Sequence, residues 1–108
     1  MSLVKFLTLV ESKMKLVKIE TANDGTHKFQ AIFEEDGRTH TVKFGAKGMS
    51  DYLHHKDKER RQRYIERHEK NENWSKPDSA GALSRFILWG PTTSFIKNVM
   101  LYRKRFRV

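Results

Sequence analysis

Histidine and carboxylate side chains are the residues of this sequence that could bind a metal or transfer a proton. Five histidines are present and cysteine is absent, so a metal site would depend on histidines and carboxylates alone. His54 and His55 are adjacent, and on a helix adjacent side chains point about 100° apart instead of toward one ion. His68 and Glu72 stand at i and i+4, but they form a single pair without the second histidine of a His-Glu-x-x-His site. We therefore expect no metal and no cofactor.

Catalytic motifs are the next possibility. The contiguous triplet His55–Asp57 differs from the spaced His-x-Lys…Asp signature of phospholipase-D-like enzymes. The sequence has no Gly-x-Ser-x-Gly elbow, no Walker motif and no Rossmann fingerprint. The loop Gly45–Gly48 could bring backbone amides to a phosphate, but it lacks the Lys-Ser/Thr pair of a P-loop and is more simply a connection between a strand and a helix. We expect a protein that is not an enzyme, with no catalytic residue and no small-molecule substrate.

Positive charge is the strongest chemical signal in the chain. The net charge is +9, and it is uneven: residues 1–48 carry 8 basic against 6 acidic side chains, whereas residues 49–108 carry 14 against 7. Such an excess attracts polyanions, which include nucleic acid, an anionic membrane surface and an acidic protein. A basic surface that serves solubility alone is the alternative.

Basic residues concentrate in one charged segment and in the C-terminal tail. The candidate contacts to nucleic acid or to an acidic partner are Lys56, Lys58, Arg60, Arg61, Arg63, Arg67, Arg103, Lys104, Arg105 and Arg107. Arginine suits this role because its planar guanidinium makes paired hydrogen bonds to phosphate or carboxylate. A solvated helix face, and in the tail compensation of a helix dipole, would explain the same residues without any partner.

The first half of the chain predicts a three-stranded antiparallel β-meander over about residues 14–44. In residues 14–22 apolar and lysine side chains alternate, with Val17 out of phase. Asn23–Gly25 predicts a turn, and Asp36-Gly37 predicts a two-residue hairpin of type I′. One strand face is apolar, and such a sheet needs a helical cover. The residues of that face are Phe29, Ala31 and Phe33.

The second half predicts two to three helices, over about residues 54–71, 78–89 and 93–105, which together with the meander give an α+β fold. The first helix is charged, with a thin inward stripe. The stripe residues are Leu53, Arg61, Tyr64, Ile65 and His68. Gly81 inside the second helix costs roughly 1 kcal/mol relative to alanine, so we expect another element to approach it closely. Gly90-Pro91 should end this helix.

Residues 1–13 predict an apolar extension on a single small basic domain of residues 14–108. Leu3, Phe6, Leu7 and Val10 stand at i, i+3, i+4 and i+7, which is one face of an amphipathic arm or helix. The apolar run is far short of the ~20 residues of a membrane span, and it lacks the cleavage site of a signal peptide. The face packs either on the protein's own sheet or on a neighbouring protein, where it would serve as an assembly arm.

Six short motifs lie between residues 50 and 90. In chain order they are SDY (50–52), HKDKERR (55–61), RYIERH (63–68), NW (73–74), SAG (79–81) and LWG (88–90). They resemble a family of short uncharacterised proteins encoded by large double-stranded DNA viruses of algae and protists. The resemblance covers roughly residues 14–107. It implies a virus-encoded accessory protein and carries no mechanism, since the family has no activity to transfer.

Two functions of different classes follow from these observations. The first is a non-enzymatic structural protein of a large DNA virus: a minor virion component, capsid-associated or cement-like, held by its apolar arm and basic helical face. Its partners would be other virion proteins or further copies of itself, in the virion or the host cell interior. The alternative is a module that binds nucleic acid without sequence specificity through the arginine-rich helix and the basic tail.

Overall fold

A computed structural model describes residues 13–108 of the chain. The residues predicted to form the assembly arm, Leu3, Phe6, Leu7 and Val10, lie outside the described part.

The strands form one antiparallel sheet in the order β1 (Lys15–Thr21), β2 (His27–Glu35) and β3 (Arg38–Ala46). This confirms the predicted meander. The hairpin between β2 and β3 turns at Asp36 (φ 54°) and Gly37 (φ 78°). Two consecutive residues with positive φ are what a type I′ turn requires, because its twist matches that of the flanking strands.

A bulge in β1 explains the irregular apolar pattern at the start of the domain. The register shifts between Leu16, which pairs with Phe33, and Lys18, which pairs with Ile32. The extra residue is Val17, which is 51% exposed while Leu16 is buried. A bulge places two residues opposite one and therefore breaks the alternation of a strand. The out-of-phase valine in the sequence was the mark of this bulge.

Five helical segments follow the sheet among the described residues: α1 (Tyr52–His55), α2 (Lys58–Glu69), α3 (Ala80–Leu83), a π-helical turn (Ser84–Leu88) and α4 (Phe95–Phe106). The α+β fold is confirmed. The helix expected over about 54–71 is divided in two, because Lys56 takes a left-handed conformation (φ 55°) and Asp57 caps α2. The Asp57 carboxylate accepts hydrogen bonds from the backbone amides of Glu59 (2.9 Å) and Arg60 (3.2 Å). This cap fixes the start of the arginine-rich helix.

The helix expected over about 78–89 begins later than predicted and changes form. Ser79 caps it, since its hydroxyl accepts a hydrogen bond from the backbone amide of Ala82 (3.1 Å). After one α-helical turn the segment widens, and the amide of Trp89 donates to the carbonyl of Ser84, five residues earlier, at 2.9 Å. The last helix agrees with the predicted 93–105 to within two residues at its start and one at its end.

The core lies between one face of the sheet and the helical second half. Its buried members are Leu16, Ala31, Phe33 and Phe44 from the strands, and Leu83, Ile87, Leu88 and Tyr102 from the helices. Each large side chain among them contributes roughly 1.5–3 kcal/mol on burial. The face that the sequence predicted as apolar, that of Ala31 and Phe33, is therefore the covered one.

A buried asparagine joins the π-helical turn to α4. The Asn98 amide donates to the carbonyls of Ile87 and Thr92, both at 2.8 Å, and its oxygen accepts from the amide and the hydroxyl of Thr92. A Cβ on Gly90 would lie 2.3 Å from the carbonyl oxygen of Phe86 and 2.7 Å from Asn98. Only glycine fits there, so the predicted helix end at Gly90 has a packing cause as well as a conformational one.

Candidate functional site

A row of cations runs along the solvent side of α2. Arg60, Arg63, Arg67 and Lys70 are all exposed, and at 100° per residue they fall within an arc of about 80°. We call these four residues the basic stripe. Within residues 13–108, the side chains of Arg60, Arg67 and Lys70 form no hydrogen bond or ion pair. Arg63 meets Glu59 at 3.9 Å, an exposed pair of little energetic weight.

The fourth arginine of the helix, Arg61, has a different position. Its Nε donates to the carbonyl oxygens of Gly90 (2.8 Å) and Trp89 (3.2 Å), and its guanidinium lies 5.6 Å from the centre of the Tyr52 ring. The residue is half-buried. Arg61 thus attaches α2 to the end of the π-helical turn and does not extend the basic stripe.

The basic residues of the C-terminal tail also divide into those that contact the rest of the protein and those that are simply exposed. Arg103 donates from Nη1 to the carbonyl of Leu16 (2.5 Å) and to that of Val108 (3.5 Å), so it holds the end of α4 against β1. The Arg105 guanidinium lies 4.2 Å from the ring centre of Phe86, a cation–π contact. Four further predicted contact residues are exposed, two at the junction of α1 and α2 and two at the end of α4: Lys56, Lys58, Lys104 and Arg107.

A column of stacked rings anchors α2 to the rest of the domain. Tyr64 stacks on Trp89 with ring centres 4.2 Å apart and an angle of 2°, and His68 stacks on Tyr64 at 4.1 Å. Burial raises the pKa of the Tyr64 hydroxyl to about 12. His55 continues the column against Trp89 at 5.2 Å, and burial lowers its pKa. Apart from Arg61, this column is the main attachment of an otherwise solvated helix.

A clamp of hydrogen bonds orients the outer ring of this column. The Glu72 carboxylate bonds to Nδ1 of His68 with one oxygen and accepts from Nε1 of Trp74 (3.1 Å) with the other. A Cβ on Gly81 would lie 2.5 Å from that second oxygen. The close approach expected at Gly81 is confirmed, and the approaching group is Glu72. The pair His68 and Glu72, noted in the sequence for its i, i+4 spacing, thus serves to hold two rings.

A groove of about 340 Å³ opens beside the basic stripe. Its walls are the loop 46–51 on one side and the π-helical turn with Trp89 on another. The third wall is α2, which contributes Arg60, Tyr64, Arg67 and His68. Two cations of the stripe therefore also line a concave surface with aromatic character.

The groove contains a buried ion pair. Asp51 is 1% exposed, and its carboxylate accepts from Nζ of Lys28 (2.6 Å) and from Nδ1 of His54 (2.9 Å). Burial alone would raise the pKa of Asp51, but the bonds from Lys28 and His54 outweigh it and lower the pKa below the usual range. The carboxylate stays ionised and neutralises Lys28, so the unpaired positive charge of the groove comes from Arg60 and Arg67. In the sequence Asp51 appeared only as a member of the motif SDY (50–52).

In residues 13–108 there is no cluster of three or more histidine, aspartate or glutamate side chains placed to hold a metal ion. None of the helices described there is long and apolar enough to cross a membrane.

No curated protein and no solved structure matches the chain. A family model matches residues 17–68, a region that begins in β1 and ends inside α2. It includes most of the sheet, the loop 46–51 and three of the four cations of the basic stripe. The matching family is of unknown function (DUF5754), which agrees with the resemblance to uncharacterised proteins.

Proposed function

We propose that this protein binds nucleic acid through its phosphates, without sequence specificity, and that the basic stripe makes the contacts. The observation that supports this is the absence of intramolecular partners for Arg60, Arg67 and Lys70 within the described residues, although acidic side chains lie on the same helix. Glu66, for example, accepts a hydrogen bond from Gln62 (3.3 Å) and leaves the neighbouring Arg67 unpaired. Arginines that served the fold would be expected to bond as Arg61 and Arg103 do.

The dimensions of the stripe suit a polyanion. From Arg60 to Lys70 the helix rises about 15 Å at 1.5 Å per residue. Duplex DNA carries one negative charge per about 1.7 Å of its axis when both strands are counted, so a segment of that length holds roughly nine charges. The segment therefore carries more phosphates than the four cations of the stripe. Because the contacts are to the backbone, the sequence of the nucleic acid contributes nothing to them.

The test is a salt series with a fluorescent duplex and a variant in which Arg60, Arg63 and Arg67 are all changed to glutamine. The slope of log affinity against log salt should fall by about 2–3, since each lost phosphate contact removes about 0.9. The matched control carries the same charge change on the sheet and on α4, at Lys15, Lys18 and Lys97. If the control loses as much affinity as the stripe variant, net charge and not the stripe is responsible, and the proposal fails.

A second candidate is a structural component of an assembly, and the surface of α4 favours it. Ile96 and Met100, at i and i+4, are 71% and 64% exposed, and Leu101 is 44% exposed. With the resemblance to virus-encoded proteins, this apolar surface supports a minor virion protein that contacts a neighbouring subunit. Sedimentation of the full chain and of an Ile96→Ser, Met100→Ser variant would test it: self-association that the variant lacks supports the candidate, and a monomer at all concentrations argues against contact between copies.

A further inference from the structure

We propose that the groove beside the stripe takes an unpaired base of single-stranded nucleic acid, while Arg60 and Arg67 hold the phosphates on either side of it. The inference rests on the proposed function and deepens it by naming the form of nucleic acid that is bound. Three observations carry it: the shape of the groove, the polar groups left free in it, and the placement of the two arginines.

The shape and lining of the groove suit a flat heteroaromatic ring. Its volume of about 340 Å³ lies within the range of small-molecule sites, roughly 300–1,000 Å³. Two of its walls carry rigid apolar or aromatic side chains, because Leu88 of the π-helical turn belongs to the core and the ring of Tyr64 on α2 is fixed by its stacking on Trp89. The loop wall carries Met49, whose side chain is 67% exposed. An exposed thioether next to a fixed aromatic wall has no role in the core, but it can cover a ring that enters the groove.

Polar groups in the groove lack partners of their own. The hydroxyls of Ser50 and Ser84 form no hydrogen bond with any residue in 13–108. His68 is held by Glu72 through Nδ1, which leaves Nε2 without a partner in the same part of the chain. A base has donors and acceptors along its edge, so these three groups can satisfy it where a purely apolar ligand would leave them unpaired.

The arginines are placed for a strand that passes over the groove. Arg60 and Arg67 stand about two turns apart on one face of α2, with Tyr64 between them along the helix. A nucleotide whose base enters at Tyr64 leaves a phosphate toward each arginine. A duplex cannot bind in this way unless a base is first unpaired and unstacked, which costs a few kcal/mol. The groove therefore predicts preference for single strands, whereas the basic stripe alone predicts none.

The experiment compares a single strand and a duplex of equal phosphate number, with both tryptophans retained because Trp74 belongs to the clamp that orients His68. We expect the single strand to change the tryptophan fluorescence and to bind about tenfold more tightly than the duplex. Met49→Ser should remove this preference and leave duplex affinity unchanged, because Met49 is exposed and lies outside the stripe. Arg63→Gln with Lys70→Gln, outside the groove, should weaken both ligands alike.

The outcomes separate the two proposals. If the two ligands bind with equal affinity, Met49→Ser alters neither affinity and the fluorescence does not change, the proposal for the groove is overturned and the proposal for the basic stripe stands. Binding of neither ligand at low salt by a folded protein overturns both proposals. Loss of the preference for single strands in Met49→Ser, with an unchanged thermal midpoint, supports the groove. If Met49→Ser lowers the midpoint, Ser50→Phe is the second test. It fills the groove from an exposed loop position and should also remove the preference for single strands.

Discussion

Replacing Asn98 with alanine would remove the amide group that joins the π-helical turn to α4. The side chain is fully buried and makes four hydrogen bonds, of 2.7–3.1 Å, to Ile87 and Thr92. Each bond contributes about 1 kcal/mol net, and a buried carbonyl such as that of Ile87 costs a further 1–3 kcal/mol when it loses its partner. Thr92 is half-buried and can recover bonds from water, so the expected loss of unfolding free energy is about 3–5 kcal/mol.

Urea denaturation measures this loss directly. A domain of this size has a stability of about 5–15 kcal/mol, and with an m-value near 2 kcal/mol/M the midpoint should fall by about 2 M at constant m. Asn73→Ala is the control, since Asn73 is exposed and its oxygen accepts a bond from the amide of Ser75 (3.0 Å) near the surface. It should cost less than about 1 kcal/mol. If Asn98→Ala costs no more than Asn73→Ala, the junction does not hold α4 in the way described.

Three further predictions concern the site. Gly81→Ala should lower the unfolding free energy by about 1–2 kcal/mol in urea denaturation despite the better helix propensity of alanine, because its Cβ would displace the Glu72 carboxylate. With Glu72→Ala in the same chain this loss of stability should largely disappear. A Gly81→Ala variant as stable as the unchanged protein would contradict the close approach. Arg61→Gln should cost about 1.5–3 kcal/mol by the same measurement and leave the salt slope of binding unchanged, whereas a reduced slope would place Arg61 among the phosphate contacts. The pKa of Asp51 is lowered in the folded state, so its contribution to stability is present above the unfolded pKa of 3.8 and is lost as pH falls through the lower folded value. Between pH 6 and pH 2 the thermal midpoint should therefore fall less steeply in Asp51→Asn than in the unchanged protein. Parallel curves of midpoint against pH for the two proteins would refute this.

The sheet could be predicted from the sequence because its signals are local. Asp36-Gly37 specifies a turn whose two residues take positive φ, and the sequence shows this without any tertiary contact. The displaced Val17 likewise marked the bulge. The facing of Ala31 and Phe33 toward the core followed from alternation alone. The alternation of a strand repeats every two residues, so a few residues reveal which face is apolar without knowledge of the helices that cover the sheet.

The helical half was less predictable because its form depends on distant partners. Lys56 takes a left-handed conformation that is usual only for glycine and asparagine, so the break before α2 has no compositional mark except the capping residue Asp57. The widening at Ser84–Leu88 is similarly silent in the sequence.

The candidate site shows the same limit more sharply. Helical spacing placed Arg61, and not Arg60, in the inward stripe, and Arg61 bonds to the carbonyl of Gly90 while Arg60 is exposed. The burial of Asp51 and Asn98 depends on Lys28 and Ile87, which lie more than ten residues away along the chain. Sequence reasoning could name the cations and place Arg61 on the inward side, but it could not give the partners that hold Arg61 and Arg103, which are the carbonyls of Gly90 and Leu16.

The π-helical turn adds one residue to the helix that covers the sheet without changing the side of that helix that faces the core. In a regular α-helix residues five apart point about 140° apart, but the wider turn brings them close to one face. Leu83 and Leu88 are five residues apart and both belong to the core, and Trp89 follows in place to stack on Tyr64. Removing one residue from this turn would leave an ordinary α-helix with the two leucines four residues apart and still on one face. Related chains that share this architecture should therefore either keep the spacing from Ser79 to Gly90 or shorten it by that single residue.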